Sequence, residues 1–305
     1  MNWLFIALVP PFLFAVVNHF DKYLVQRYFK GAGVGAVLIF SALIGVFVAV
    51  PIAIFVPEVF DLPATHSLLI IANGFLYLLA SLPYFYALAK DEASVVVPVF
   101  QLVPFFILLY AFLFLGESIS RNGLLGGIII VLGAVLISLE LSGNKVKFKQ
   151  SVFWLMVLSS SLYALNFVLF KNFTIDNTFW VTNFWEYVGF VIFAALTLLF
   201  VRPYRREFFS VLKQNKKVVL AINGINEVVA VAAKATFNFA SLLVPVALVS
   251  FVGGFQPLFV FLLGVLLTVF FPKISKENIS KRAMAQKILA ILIMLVGAYV
   301  LEQSF

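Results

Sequence analysis

Apolar residues run along this chain in blocks of about twenty, and polar residues gather in the gaps between them. Ten blocks can be drawn, at residues 2–20, 34–56, 67–89, 93–115, 121–140, 151–170, 178–200, 217–241, 244–271 and 284–302. A helix rises ~1.5 Å per residue, so about twenty residues cross the ~30 Å hydrocarbon core of a bilayer. Each block therefore reads as a transmembrane helix. Strands fail on length, because a spanning strand needs only ~10 residues of alternating pattern. The first block, MNWLFIALVPPFLFAVVNHF, has no basic leader and no small-residue cleavage pattern, so it is expected to be a retained span. The connections are short, the longest being VRPYRREFFSVLKQNKK at 201–217, and leave no room for a soluble domain.

Composition agrees with an all-α integral membrane protein. The 305 residues have a mean hydropathy of +1.12 and only 11% charged side chains, too few to cover a soluble surface. There is no cysteine for a disulfide or thiolate metal site, and His19 and His66 stand far apart. No G-x-x-x-x-G-K-[ST] stretch occurs, so no ATP hydrolysis, and no metal or other cofactor, is expected. The net charge of +8 does not point to nucleic acid. Its basic residues lie in the connections, where they suit anionic headgroups and topology. Eighteen Lys and Arg follow the first, third, fifth, seventh and ninth blocks, against Arg121 and Lys171 on the other side. That bias places the basic connections in the cytoplasm and both termini outside, in a cell membrane, plasma or inner.

The chain also repeats itself. Shifted by 153 residues, Ala87 falls on Ala240 and Pro104 on Pro257, and the stretches between, ALAKDEASVVVPVFQLVP and ASLLVPVALVSFVGGFQP, align without a gap. FSALIG at 40–45 matches FWEYVG at 184–189 at its first and last residues, and both halves close on glycine-bearing spans, VLGAVLIS and LVGAYVLE. Asn73-Gly74 recurs as Asn223-Gly224, at a shift of 150. Five spans per repeat is an odd number, so the halves must sit upside down relative to each other, giving ten transmembrane helices as two inverted five-helix repeats, 1–145 and 146–305.

At these residues the sequence resembles the drug/metabolite transporter superfamily, and within it the EamA branch. The first half carries ALAKDEAS, QLVPFF, LGE at Glu117 and LGGIIIVLGAVLI. The second carries FASLLVPVALVSFVGGFQP and MLVGAYVL, with FFPKISKENISKRAMAQK where the family's Gly-Glu turn belongs. The resemblance implies secondary transport of small organic solutes through a central cavity lined by helices 1–4 and 6–9. It implies transport rather than catalysis, and leaves the solute open.

Candidate chemistry lies inside the spans. In the eighth, Asn223, Glu227, Lys234 and Asn238 fall within roughly 60° at ~100° per residue, with Asn226 beside them. So narrow a polar stripe must face protein or water, not lipid. Glu227 and Lys234 are two turns apart, too far for a direct pair, so each needs another partner, water or a ligand. Polar glue between spans is the competing reading, but it returns only ~0.6 kcal/mol per contact, against ~2.5–3.5 kcal/mol for a charge at mid-bilayer depth. Lys234 would suit an anionic group on the cargo, and Glu227 a proton- or cation-coupling site. Glu186 and Asn183 on the seventh span, Asn18 on the first, Asn73 on the third and Asn166 on the sixth complete the polar candidates. Glu186 has no local partner and could equally be an interfacial carboxylate beside Trp180 and Trp185. Asn18 and Asn166 occupy similar depths and hint at a pair flanking one cavity. Tyr77, Tyr84 and Tyr86 could stack on a cargo ring or merely pack. Gln101 and Gln256 adjoin the span prolines, whose freed backbone groups they could satisfy. NHFDKYLVQRYFK reads as a solvated edge, and the 37 phenylalanines as lipid-facing and packing residues.

The function expected is a secondary transporter of a small metabolite or drug using alternating access, with proton coupling as an option. The alternative is a flippase for a lipid-linked, polyprenyl-phosphate-type substrate, which a lateral gap between helices would favour. An intramembrane enzyme lacks its His-plus-Ser pair or metal cluster, and a channel its repeated filter. Partners are the solute and membrane lipid, with the chain a monomer or homodimer. The charge bias sets a test: Ser304→Cys, the only cysteine then present, is expected to react with an impermeant thiol reagent in intact cells. Protection there would mean the opposite orientation.

Overall fold

The computed structural model describes residues 3–27, 34–90, 97–138, 150–270 and 280–303, and these are almost all helical, with no strands among them. The basic stretch 139–149 and residues 271–279, where the second half departs from the Gly-Glu pattern, lie outside the described residues. The helices are α1 (Trp3–Arg27), α2 (Val34–Phe55), α3 (Ala64–Lys90), α4 (Val103–Leu115), α5 (Arg121–Ser138), α6 (Gln150–Ile175), α7 (Phe179–Phe200), α8 (Arg202–Leu243), α9 (Val246–Val252), α10 (Gln256–Phe270) and α11 (Lys281–Glu302). Helices are the natural outcome for apolar runs in lipid, where every backbone N–H and C=O must be paired within its own segment.

Eight segments are long and apolar enough to cross a membrane, and the chain is a multi-pass membrane protein. The blocks expected at 93–115 and 121–140 appear as shorter apolar helices, Val99–Leu115 and Arg121–Ile137. Two expectations need refining. The block at 244–271 is one candidate span, Val246–Phe270, but its helix is interrupted: α9 ends at Val252, a 3₁₀ turn covers Gly253–Phe255, and α10 follows. Two successive glycines weaken the helix there, and Pro257 has no N–H to offer the Gly253 carbonyl. The connection at 201–217 is not irregular. It forms the first turns of the 42-residue α8, opening with Pro203 in its first turn. Its apolar face, with Phe208 and Val211, is buried against Leu24, Ile39 and Phe40. Its Glu207 accepts a hydrogen bond from the Gly35 N–H at 3.0 Å.

Helix pairing follows a regular scheme. α1 packs on α8 and α6 on α3, while α2 packs on α8 and α7 on α3. α1 also packs on α10 and α6 on α4, while α2–α7, α4–α9 and α5–α11 are direct pairs. The ends of α3 and α8, Lys90 and Leu243, are 153 residues apart, and so are the starts of α4 and α10. Phenylalanine serves both ends expected of it: Phe47, Phe55, Phe112 and Phe200 are exposed on the outside of the bundle, while Phe170 and Phe251 are buried.

Between lipid-bathed helices there is little hydrophobic drive, so close packing carries association. The α5–α11 contact shows how. A Cβ on Gly126 would lie 2.5 Å from the Leu301 backbone nitrogen and 2.7 Å from the Gly297 carbonyl oxygen. Both obstacles are backbone and cannot rotate away. Gly126→Val is expected to lose roughly 1–3 kcal/mol of stability, read as a lower thermal unfolding midpoint in detergent. Gly224→Ala, where a Cβ meets nothing within 4 Å, should gain about 0.5–1 kcal/mol. Equal effects at the two positions would refute the packing account.

Candidate functional site

An internal cavity of about 230 Å³ lies among the helices. α1–α4 and α6–α10 all contribute to its wall, whereas α5 and α11 contribute nothing and pair with each other. The wall is mostly ring and aliphatic surface, with polar groups at a few places. Tyr77 anchors the aromatic part: it stacks on Phe190, centroids 5.3 Å apart, and meets Tyr163 edge-on at 5.1 Å. Tyr84 leans on Phe100 at 5.0 Å. The Tyr163 hydroxyl shares a 2.7 Å hydrogen bond with Ser81.

Behind the wall sits a buried polar cluster. Gly74 on α3 and Gly189 on α7 let two backbones touch, since a Cβ on Gly74 would meet the Glu186 carbonyl oxygen at 2.2 Å and one on Gly189 the Ile71 oxygen at 2.5 Å. That approach brings Asn73 to Glu186, where its amide donates at 3.0 Å. Asn166 on α6 donates to the same carboxylate oxygen at 2.9 Å, and to the Asn73 carbonyl at 2.9 Å. Asn73 also donates to the Asn166 carbonyl at 3.3 Å. The other Glu186 oxygen accepts from the Lys234 ammonium of α8 in an ion pair. Rings close over this ammonium, with centroids at 5.1 Å for Tyr77, 5.2 Å for Phe170 and 5.9 Å for Tyr187. Glu186 has no exposed surface and Lys234 is 2% exposed. Four helices thus meet at one buried ion pair.

A second polar corner joins α1, α2 and α8. The Asn226 amide donates to Asp21 at 2.7 Å, and Ser41 donates to Glu227 at 2.6 Å. All four residues line the cavity. At the opposite end of α8 a third cluster bridges the gap before α9. Gly116 takes φ +63°, a left-handed turn that ends α4 and presents Glu117. Glu117 pairs with Lys171 and accepts from the Val246 N–H at 2.9 Å, and Lys171 donates to the Val244 carbonyl at 2.8 Å.

The expected residues divide accordingly. Asn18, Tyr77, Tyr84, Asn226, Glu227 and Lys234 line the cavity, as do Gln101 and Gln256. Asn73, Asn166 and Glu186 form the cluster behind it, so Asn166 is not the cavity partner of Asn18. Glu186 is not interfacial, and Lys234, which has no acid within reach on its own helix, finds one on α7. Asn183 donates to the Phe179 carbonyl of its own helix at 2.8 Å. Asn223 and Asn238 are buried but off the cavity wall. Tyr86 is exposed and shares a hydrogen bond with Tyr204 at 2.8 Å. Asp21, within the stretch expected to be a solvated edge, lines the cavity; it lies three residues beyond Asn18, on the same helix face, which is the signal that could have found it.

Membrane-crossing helices around an internal cavity define a class broader than any one family, and the comparisons narrow it. Residues 1–139 match the model of the EamA-like transporter family, the family that the motifs resemble. That family comprises membrane transporters of the drug/metabolite type. Seventy residues are 33% identical to an uncharacterized protein of Methanocaldococcus jannaschii, covering 23% of this chain and 51% of that protein. The match thus spans about half the length of that curated relative. A protein crystal structure superposes with a TM-score of 0.68 at 17% identity, over 98% of this chain and 95% of its own, a likeness of fold.

The buried pair makes a direct prediction. Glu186→Gln strands the Lys234 ammonium and should lower stability by roughly 3–5 kcal/mol. Glu186→Gln combined with Lys234→Met removes both charges and should recover most of that loss in thermal unfolding. If the double variant unfolds as early as the single one, charge pairing is not what the cluster supplies.

Proposed function

We propose that the protein is a secondary transporter that moves a small organic solute by alternating access, built as two inverted repeats of five spans, residues 1–145 and 146–305. The pairing of helices carries this reading. Exchanging α1 with α6, α2 with α7, α3 with α8, α4 with α9–α10 and α5 with α11 turns the most extensive pairings into one another or into themselves, while smaller contacts such as those of α5 with α9 and α10 and of α6 with α8 have no comparable counterpart among the described residues. α1–α8 becomes α6–α3, α2–α8 becomes α7–α3, and α1–α10 becomes α6–α4. The two short apolar helices then complete ten spans, and the broken α9–α10 matches the 3₁₀ turn Val97–Leu102 followed by α4. A site at the interface of inverted repeats can open to either side by rocking one half against the other.

The cavity reaches Asp21 and Tyr84, near the ends of α1 and α3 that lead into basic connections. Toward the other side, Glu117 and Lys171 hold the backbone of the α8–α9 gap. On this reading that clamp is the closed gate, and coupling protons use the cavity carboxylates. The small volume, about 230 Å³, supports a small solute over a lipid-linked one.

Two measurements test the proposal. A thermal-shift screen against amino acids, organic anions, nucleotide sugars and polyprenyl phosphates should show stabilisation by a small solute; stabilisation by a polyprenyl phosphate alone would favour the flippase. Ser250→Cys, on the cavity wall, should react with an impermeant thiol reagent from the basic-connection side. Adding Glu117→Gln should raise labelling from the opposite side several-fold. Labelling unchanged on both sides would rule the clamp out as a gate.

A further inference from the structure

Four charged side chains stand at the cavity or immediately behind it, and they do not cancel. Lys234 is neutralised by Glu186, which meets it from α7 and is itself held by two amides. Asp21 and Glu227 remain. Each receives one hydrogen bond from a neutral group, Asn226 and Ser41 respectively, and neither meets a cation among the described residues. An ionised carboxylate has about four acceptor positions, so most of this capacity is unused.

Asn226 supplies an independent observation. It is 2% exposed and lies on the cavity wall between the two acids, bound to Asp21 and adjacent in sequence to Glu227. Its amide oxygen accepts no hydrogen bond. A buried acceptor without a donor is costly, and the groups of this corner with accepting capacity to spare, the Asn226 oxygen and the two carboxylates, are all acceptors. Whatever completes them must donate, and two carboxylates in a low-dielectric wall ask that it be positive. The remaining lining is aromatic: Tyr77, Tyr84, Phe100, Tyr163, Tyr187 and Phe190 present rings to the same space. Ring faces attract cations and pack against an apolar body.

From this arrangement we infer that the cargo is a small ammonium-bearing cation with an apolar or aromatic body, its nitrogen seated among Asp21, Glu227 and the Asn226 oxygen. The inference rests on the transporter reading and reverses the sign of cargo expected from Lys234 alone. An ammonium offers three N–H donors to three waiting acceptors, and the body lies along the tyrosine wall. Anions are disfavoured because Lys234, the one cation facing the cavity among the described residues, already has its partner.

The test uses the full chain in lipid nanodiscs and three probes with one ring and different charge: phenethylammonium, phenylacetate and 2-phenylethanol. Binding is read by thermal shift and fluorescence titration, and uptake of labelled phenethylammonium in proteoliposomes. Phenethylammonium should bind at least tenfold more tightly than either other probe. Asp21→Asn and Glu227→Gln should each weaken it at least tenfold, with phenylacetate unaffected. The three-probe comparison on the unsubstituted protein decides the matter even if a variant fails to fold. Preference for phenylacetate or the alcohol overturns the inference and leaves the transporter reading standing. Ammonium binding that is indifferent to both substitutions overturns the assigned site. Binding of none of the three overturns the cargo class, and the wider solute screen then decides separately whether the protein transports at all.

Discussion

The ion pair between Glu186 and Lys234 is what the rest of the bundle has to accommodate. Two charges placed in the interior of a membrane protein demand that their helices stay together, because separating them leaves a carboxylate or an ammonium with no solvent to turn to. The pair therefore ties α7 to α8, and the paired amides of Asn73 and Asn166 extend the tie to α3 and α6. The glycines at 74 and 189 exist in this arrangement to let the backbones come close enough for those bonds to form. Satisfying the charge inside the wall also leaves the cavity itself with a different electrostatic character from the one that a solitary lysine would have given it.

Under the proposed division into two inverted repeats, the halves use one scaffold for different chemistry. At the shift of 153, Asn73 corresponds to Asn226, Gly74 to Glu227 and Ser81 to Lys234. Both asparagines hold a carboxylate, Asn73 that of Glu186 and Asn226 that of Asp21. One of these sites is closed by an ammonium, the other faces the cavity. On the transporter reading proposed above, unequal side chains on a repeated framework give the site a direction, since identical halves would offer a solute the same surface twice.

Much of the fold was legible in the sequence, because length and hydropathy alone mark a span. The break inside 244–271 was not, since an apolar run conceals whether two glycines and a proline will hold as one helix. The helical start of α8 was hidden by its charges, although Phe208 and Val211 form an apolar edge. Within the site, the polar stripe of α8 was readable from helical spacing. The partner of Lys234 was not, because it comes from 48 residues away and depends on how α7 and α8 pack. Asp21 was obscured by its neighbours, which make the end of α1 look like an ordinary basic edge.

The continuity of α8 has a mechanical consequence. From Glu227 at the cavity to Arg202 at the helix start is 25 residues of unbroken helix, a rod ~37 Å long. A tilt of about 10° at the cavity would sweep its far end by ~6 Å at that length. That far end is fastened to the start of α2 through Glu207 and Gly35. The same rod thus works as a lever arm, turning a small adjustment around bound cargo into a displacement at the membrane surface that a lipid headgroup or a probe fixed there would register.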